Sequence, residues 1–328
     1  MEIAPVSDST IDANYIGKNI QNKYGLSVNT KCKLFRTGIN HSYMVTDGSL
    51  QYVFRVYSYN WRTKEEILGE LNLLISLKYK LSISFPIADK KQNIIHSFQA
   101  PEGMRYGALF SYAKGKKIRV LSTTMLEQIG VWMGTFHRKT AEQKLPRIDY
   151  NANTLTTLPY TYAKIHFRES LEEMVYLKKV DQFIALTFEK VVPSHFKKGI
   201  VHLDIWNDNM HIADDGITVF DFDFCGNGYQ VLDVAYFMTQ LFHAEHDKEV
   251  YESKVATFLK TYESFNSLTK EEKEFIPYAG IAIWMFYLGV QSRRFDNWSN
   301  IFLTEIHLER FVGMIKRWAA YYKVDISL

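Results

Sequence analysis

Cysteine is scarce in this sequence, and its scarcity excludes two classes of protein. Only two cysteines, Cys32 and Cys225, occur among the 328 residues. Two cysteines so far apart in sequence supply neither the disulfide framework of a small secreted domain nor a zinc cluster. We therefore expect the protein to work in a reducing compartment, the cytoplasm.

Charge of one sign and long apolar runs are lacking as well. The formal net charge is +3, so the chain as a whole is not built to bind nucleic acid, and we predict no nucleic-acid partner. Residues 1–20 contain acids and polar residues without an apolar signal core. The most apolar run, 276–290, is too short and too aromatic for a membrane span and favours a buried helix. We therefore predict no membrane association.

The N-terminal third has the pattern of a small antiparallel sheet with one main helix. β-Forming residues are concentrated in 31–36, 41–46, 51–57, 93–98 and 104–112. Asp47-Gly48, between the second and third of these segments, predicts a hairpin turn because Asp-Gly supports positive φ. Thr63 is typical of a helix N-cap, and apolar residues then recur at helical spacing through Leu77.

The rest of the chain has a mostly helical pattern. Apolar residues recur at helical spacing over 123–136, 162–190, 233–244, 249–265, 270–293 and 304–322. A short strand-like island, 199–223, interrupts these helices, and a glycine marks a hinge near 113–115. We therefore predict an α+β fold with two lobes, a β-rich lobe over 1–113 and a larger helical lobe over 114–328.

The island carries a set of residues suited to phosphoryl transfer. It contains His202-x-Asp204-x-x-x-x-Asn209, followed by Asp221-Phe-Asp223. Phosphoryl transfer needs a positioned hydroxyl and divalent cations on the phosphates. Asp204 is the candidate base for the hydroxyl proton, while Asn209 and Asp221 offer the hard oxygen ligands that magnesium prefers. We interpret His202 as a buried, orienting histidine.

This pattern resembles the catalytic loop and metal-binding motif of kinases. Asp223 replaces the glycine of the Asp-Phe-Gly motif, and in this respect the sequence resembles the aminoglycoside phosphotransferase and choline kinase-like family. The resemblance implies a bilobal protein kinase-like fold, ATP and Mg²⁺ as cofactors, and Asp204, Asn209 and Asp221 as catalytic residues. It also implies that Asn209, Asp221 and Asp223 bind metal; the alternative for Asp223 is a solvated acid at a strand end.

The resemblance extends into the N-terminal third. Gly38-x-Asn40 is similar to the phosphate loop of the family, Arg55 stands where protein kinases have a lysine, and Glu70 is the expected partner of that cation. Arginine keeps its charge and binds phosphate bidentately, so the role can survive the exchange. The alternative is a surface Arg–Glu pair of little value.

Two further positions follow from the same resemblance. Ser111 and Tyr112 occupy the strand end at which the family's backbone binds adenine. Leu232-Asp233 matches the segment that follows the metal loop, which makes Asp233 an N-cap or a brace for the catalytic loop. His137 is interpreted as structural.

Three functions compete at this stage. The first is a kinase that phosphorylates an alcohol hydroxyl of a small molecule; the second is a Ser/Thr protein kinase, since 59–67 and 287–296 resemble the bacterial stress-response branch. The third is a nucleotide-binding pseudokinase scaffold, suggested by Arg55 and the single glycine of the phosphate loop. The sequence gives no prediction for oligomeric state or for ATP over GTP. Candidate acceptor-pocket residues are Trp206, Trp284, Tyr287, Arg293, Arg294, Asp296 and Trp298.

Overall fold

The computed structural model describes residues 4–214, 216–295 and 301–326, and every element given below lies within them. The chain divides into two compact units. The N-terminal unit comprises Met1–Lys114 with Thr218–Phe220, and the C-terminal unit comprises Gly115–Ile217 and Asp221–Leu328. The assignment of nucleotide binding to 1–113 and of catalysis to 114–328 stays a prediction.

The N-terminal unit is built on an antiparallel sheet. Its strands are β1 (Lys31–Arg36), β2 (His41–Asp47), β3 (Leu50–Val56), β4 (His96–Ala100) and β5 (Gly103–Ser111), in the order β1-β2-β3-β5-β4. All five correspond to predicted strands, with ends shifted by up to three residues. Asp47 pairs with Leu50, and Gly48 has a φ of +60°, as the predicted hairpin turn requires.

Two helices accompany this sheet, although the sequence predicted one. The predicted helix is α2 (Lys64–Leu77); Thr63 accepts a hydrogen bond from Glu66 N, and Glu66 Oε2 accepts one from Thr63 N at 2.8 Å, which forms a capping box. The unpredicted helix is α1 (Ala13–Tyr24). Its buried face consists only of Ile16 and Ile20, too few apolar residues for a periodic signal.

The C-terminal unit is mostly helical, with two small two-stranded sheets. Its helices are α3 (Thr123–Thr140), α4 (Leu158–Ala163), α5 (Glu172–Glu189), α6 (Val231–Ala244), α7 (Lys248–Phe265), α8 (Lys270–Arg293) and α9 (Glu305–Tyr321). The remaining strands are β6 (Lys198–Val201), β7 (Met210–Ala213), β8 (Gly216–Val219) and β9 (Gly226–Tyr229), paired β6 with β9 and β7 with β8. The last two residues of β8 are assigned to the N-terminal unit.

The predicted continuous helix over 162–190 is wrong. The chain forms α4 and α5 with a turn between them, closed by Phe167 N to Ala163 O at 2.9 Å and Leu171 N to Arg168 O at 3.1 Å. Apolar residues keep helical spacing through this turn, so periodicity does not reveal the break. α4 packs closely against α8, where a Cβ on Gly289 would fall 2.5 Å from atoms of Pro159.

The apolar run near the C-terminus is the core of α8. Among the described residues α8 is the one helix long and apolar enough to cross a membrane, and 78% of its most apolar window is buried inside the protein. This burial fits the predicted core helix. α8 packs against α4, α5, α6 and α9, which places it at the centre of the C-terminal unit.

Candidate active site

The candidate catalytic loop begins where β6 ends, and its backbone turns sharply. His202 is fully buried, and Leu203 has a φ of +58°, in the left-handed region. A leucine rarely adopts this conformation, so its surroundings must hold it there. The carboxylate of Asp233 does so by accepting His202 N at 2.8 Å and Leu203 N at 2.6 Å. Asp233 is thus a brace for the loop, whereas Gln230 occupies the N-cap of α6.

Asp233 is held in turn by a directional chain of hydrogen bonds. His137 Nε2 lies 3.0 Å from Asp233 Oδ2, and His137 Nδ1 lies 2.8 Å from the Tyr262 hydroxyl. Asn266 Nδ2 donates to the same hydroxyl at 2.9 Å. The Tyr262 proton is therefore assigned to the bond with Nδ1, and His137 donates from Nε2 to the carboxylate. His137 positions Asp233, which is a structural role.

The two carboxylate oxygens of Asp204 bind different partners. Oδ1 accepts the hydroxyls of Tyr236 on α6 and Tyr287 on α8, each at 2.7 Å. Oδ2 accepts Asn209 Nδ2 at 2.6 Å. The backbone N–H of Asp204 donates to His202 Nδ1 at 3.2 Å, in agreement with an orienting histidine. The carboxylate is thus held by α6, by α8 and by the catalytic loop.

The surroundings raise the pKa of Asp204 to about 7. Burial is the largest cause because it disfavours the charged carboxylate, and the negative charge of Asp221 also raises this pKa. Hydrogen bonds from Tyr236, Tyr287 and Asn209 oppose these effects, since they stabilise the ionised form. A carboxyl group with a pKa near neutrality is suited to accept a proton from a hydroxyl.

Asn209 and Asp221 offer oxygen atoms suited to a divalent cation. The side-chain nitrogen of Asn209 points to Asp204, so its Oδ1 faces away and accepts no hydrogen bond within the described part of the chain. Asp221 has a φ of +64° at the start of the turn Phe222–Phe224 and lies within electrostatic reach of Asp204. Mg²⁺ typically takes one or two protein carboxylates and completes its shell with phosphates and water.

A metal site made of protein acids alone is not present in the described residues. Over 4–214, 216–295 and 301–326, no group of three or more His, Cys, Asp or Glu side chains is arranged to hold a metal ion. Asp223 is 3% exposed, and its backbone carbonyl accepts a hydrogen bond from the Arg147 guanidinium. The alternative of a solvated acid at Asp223 is therefore wrong, and its share in a metal site stays a prediction.

Arg55 on β3 and Glu70 on α2 form a buried ion pair in the N-terminal unit. Arg55 Nη1 lies 2.9 Å from Glu70 Oε1, and the two side chains are 11% and 0% exposed. The Arg55 guanidinium carbon also lies 5.0 Å from the ring centre of Phe110. The alternative of a surface pair is excluded, because both charges have been taken out of water. Contact of Arg55 with phosphate stays a prediction.

The loop with Gly38 and Asn40 is shaped by Ser58. Asn40 Oδ1 accepts Ser58 N at 3.1 Å, and the carbonyl oxygen of Ile39 accepts the Ser58 hydroxyl. A Cβ built on Gly38 would meet nothing closer than Arg36 Nε at 3.8 Å, and φ at Gly38 is not positive. Neither strain nor packing in the described residues requires glycine here. Close approach of a phosphate to the backbone would require it.

The backbone of Ser111, a predicted adenine-binding position, bonds to the segment at Ser84 and Phe85. Its backbone N–H donates to Phe85 O at 2.9 Å, and its carbonyl oxygen accepts the Ser84 hydroxyl at 2.6 Å. Both backbone groups of Ser111 are therefore already paired within the N-terminal unit. Tyr112, the next predicted position, is half-buried, and adenine binding at Ser111 and Tyr112 stays a prediction.

The predicted acceptor-pocket residues have different surroundings. Tyr287 reaches Asp204, as described above. Trp284 is 8% exposed and packs edge-on against His243 and Phe311, with ring centres 5.0 and 5.4 Å apart, so it belongs to the core. Trp206 is half-buried, Arg293 is exposed and Arg294 is buried, while Asp296 and Trp298 lie outside the described residues.

Tyr236 is a site residue that the sequence reasoning missed. It follows Asp233 by three residues and therefore lies on the same face of α6. Since Asp233 was expected to brace the catalytic loop, a residue three positions later on the same helix could have been predicted to contact that loop too. Its phenol was not expected to reach Asp204 because the two residues are 32 positions apart.

Comparison with known proteins defines the class of this protein. Residues 31–268, more than half of the chain, match the phosphotransferase enzyme family (APH). The chain therefore belongs to this phosphotransferase family, and the predicted family and enzyme class are confirmed. One relative, the uncharacterized protein sll1119 of Synechocystis sp., is 28% identical over 307 residues, which cover 89% of this chain and 82% of the relative.

Solved structures show the fold. The amicoumacin kinase hAmiN, solved in complex with AMP-PNP, Ca²⁺ and Ami, superposes with a TM-score of 0.78 at 20% identity, covering 97% of this chain and 95% of that chain. A microcompartment-associated aminopropanol kinase has a TM-score of 0.75 at 16% identity, covering 96% and 100%. These similarities confirm the predicted α+β, protein kinase-like fold.

Proposed function

We propose that this phosphotransferase moves the γ-phosphoryl group of ATP to an alcohol hydroxyl of a small molecule, with Asp204 as the base. The observation that carries the proposal is the bond between Asp204 Oδ2 and Asn209 Nδ2 at 2.6 Å, with the Asp221 charge within reach. The base candidate and both metal-ligand candidates are thereby gathered in one part of the C-terminal unit. That proximity is the arrangement that the family's chemistry needs.

The residues present fit a magnesium ion. Asn209 Oδ1 and the Asp221 carboxylate would hold it, and the nucleotide phosphates would complete its shell. When bound, the ion would neutralise charge that develops on the phosphoryl oxygens. Its positive charge would also offset the repulsion between Asp221 and Asp204, so that Asp204 is ionised and ready to accept the hydroxyl proton.

The N-terminal unit would supply contacts to the nucleotide. Arg55, fixed by Glu70, would bind phosphate oxygens, while the backbone around Gly38 and Asn40 would approach them closely. Ser58 N donates to Asn40 Oδ1 and so fixes the amide, which leaves the side-chain nitrogen of Asn40 as a candidate donor to a phosphate. Backbone groups near Tyr112 would bind adenine.

A small-molecule acceptor is favoured over a protein Ser/Thr acceptor by the segment after Asp221. Gly226–Tyr229 forms β9 and pairs with β6 from Lys198–Tyr229 to Val201–Gly226. The segment is thus fixed in a sheet and too short for the long regulated loop of protein kinases. The names of the amicoumacin and aminopropanol kinases also point to small-molecule acceptors. A cytoplasmic location belongs to the same proposal.

An acceptor screen tests this function. ADP release is measured with Mg²⁺-ATP and a panel of amino alcohols, sugars, aminoglycosides and protein substrates, each with and without EDTA. We expect Mg²⁺-dependent turnover with a small-molecule class, a phosphomonoester product, and no autophosphorylation from labelled ATP. Nucleotide binding without Mg²⁺-dependent turnover would favour the pseudokinase scaffold, and labelled protein would favour the protein kinase.

A further inference from the structure

Two phenols converge on one oxygen of Asp204. The hydroxyls of Tyr236 and Tyr287 each lie 2.7 Å from Asp204 Oδ1, and their rings stack with centres 5.6 Å apart and planes at 28°. The Tyr287 hydroxyl also lies 2.8 Å from Leu203 O, so its single proton is shared between the carboxylate and the strained loop backbone. The tyrosines come from different helices, α6 and α8, which pack against each other.

Counting lone pairs shows what this contact does to the carboxylate. Each carboxylate oxygen has about two lone-pair positions. The two phenols face both positions on Oδ1, Tyr287 through a proton that it shares with Leu203 O, and Asn209 Nδ2 fills one position on Oδ2. One position is then left, on Oδ2, for the proton of an incoming hydroxyl. The phenols therefore decide which oxygen of Asp204 acts as the base.

Ring packing alone does not explain the two hydroxyls. Tyr236 is 2% exposed, and Tyr287 packs edge-on against Phe224 and Phe286 with ring centres 5.7 and 5.5 Å apart. A phenylalanine would fill both places equally well and would avoid the cost of burying a polar group. The hydroxyls are explained by their bonds to Asp204 and Leu203.

We propose that Tyr236 and Tyr287 are positioning residues that fix the Asp204 carboxylate and reserve Oδ2 for the acceptor hydroxyl. The inference rests on the proposed function, because it requires Asp204 to be the base. Losing one of two hydrogen bonds to a charged group, with a looser carboxylate as the result, is expected to lower kcat by about tenfold. KM for Mg²⁺-ATP should stay unchanged, since neither phenol belongs to the proposed nucleotide contacts.

The test is a mutant cycle on ATP turnover. Tyr236→Phe, Tyr287→Phe and the double variant are made in the natural chain and in an Asp204→Asn background, and hydrolysis of Mg²⁺-ATP with water as acceptor is measured. Each single change should lower kcat by about tenfold in the natural chain and by less than about twofold in the Asp204→Asn background. A structural role would give the same loss in both backgrounds.

The control is a buried tyrosine pair elsewhere in the C-terminal unit. Tyr251, 1% exposed, shares a hydrogen bond of 2.8 Å with the Tyr322 hydroxyl, and Tyr251→Phe should leave kcat unchanged. Two outcomes would overturn the inference, provided that Asp204→Asn itself is impaired. One is an equal loss of kcat in both Asp204 backgrounds, and the other is full activity of both Tyr236→Phe and Tyr287→Phe. Normal turnover of Asp204→Asn itself would instead overturn the proposed function.

Discussion

The two units hold their candidate residues by different means. In the N-terminal unit Arg55 lies on a regular strand, and one buried ion pair joins it to Glu70, 15 positions away. In the C-terminal unit Asp204 follows a residue with positive φ and is held by phenols 32 and 83 positions away. The first arrangement is centred on an ion pair, and the second is centred on three hydrogen bonds to one carboxylate.

Because of this difference, we expect substitutions at the two places to affect different quantities, the free energy of unfolding in the N-terminal unit and turnover in the C-terminal unit. Breaking the ion pair leaves an uncompensated charge in a core, so its cost falls mainly on folding. Changing Asp204 or one of its phenol partners leaves a packed loop whose brace at Asp233 is intact, so we expect the cost to fall mainly on turnover. The variants below test that contrast, from the largest expected effect to the smallest.

Arg55→Met should lower the free energy of unfolding by about 3 kcal/mol, because it strands the Glu70 carboxylate in the core. Urea unfolding measures the loss. Adding Glu70→Leu should recover most of it, since an apolar pair can replace a buried ion pair. The matched control is Lys270→Met, which breaks the exposed pair with Glu274 and should cost no more than about 0.5 kcal/mol. Equal costs for both pairs would contradict the contrast.

Asp221→Asn should weaken binding of Mg²⁺-ATP by about tenfold and leave binding of metal-free ATP unchanged, because one ligand charge is lost. Asparagine is chosen since, like aspartate, it tolerates the positive φ at this position. Isothermal titration with and without Mg²⁺ gives the two affinities. Exposed Asp214 serves as the control through Asp214→Asn. A Mg²⁺ dependence equal to that of the natural chain would rule out Asp221 as a ligand.

Gly38→Ala should raise KM for Mg²⁺-ATP by several-fold with an unchanged or slightly higher free energy of unfolding. A Cβ meets nothing closer than 3.8 Å in the protein, so the substitution is felt only where a phosphate approaches the backbone. Steady-state kinetics and urea unfolding together decide the matter. An unaltered KM would mean that the loop does not approach the phosphates closely.

The sequence predicted the parts of the fold that depend on neighbouring residues better than the parts that depend on distant contacts. The strands, the hairpin at Gly48 and the capped start of α2 depend on neighbouring residues, and local patterns predicted them. α1 was missed because its buried face is so small, and the break between α4 and α5 was missed because apolar residues keep helical spacing across it.

The candidate site divides in the same way. Asp204, Asn209 and Asp221 lie within one short stretch, and their spacing alone suggested their roles. Tyr236 bonds to Asp204 because α6 packs beside the loop, and its spacing of three residues from Asp233 was its one local signal. Ser111 was proposed from its place at a strand end. Its backbone N–H and its Oγ both bond to Phe85, 26 positions away, and a contact so distant in sequence leaves no local pattern.

The most direct test of the central claim is the turnover of Asp204→Asn, measured beside its affinity for an unhydrolysable ATP analogue with Mg²⁺. Asparagine preserves the size of the side chain but cannot accept the hydroxyl proton as a carboxylate does. We predict that turnover falls by at least ~10²-fold, while analogue affinity and thermal stability stay close to those of the natural chain. Turnover within a few-fold of the natural value would show that Asp204 is not the base.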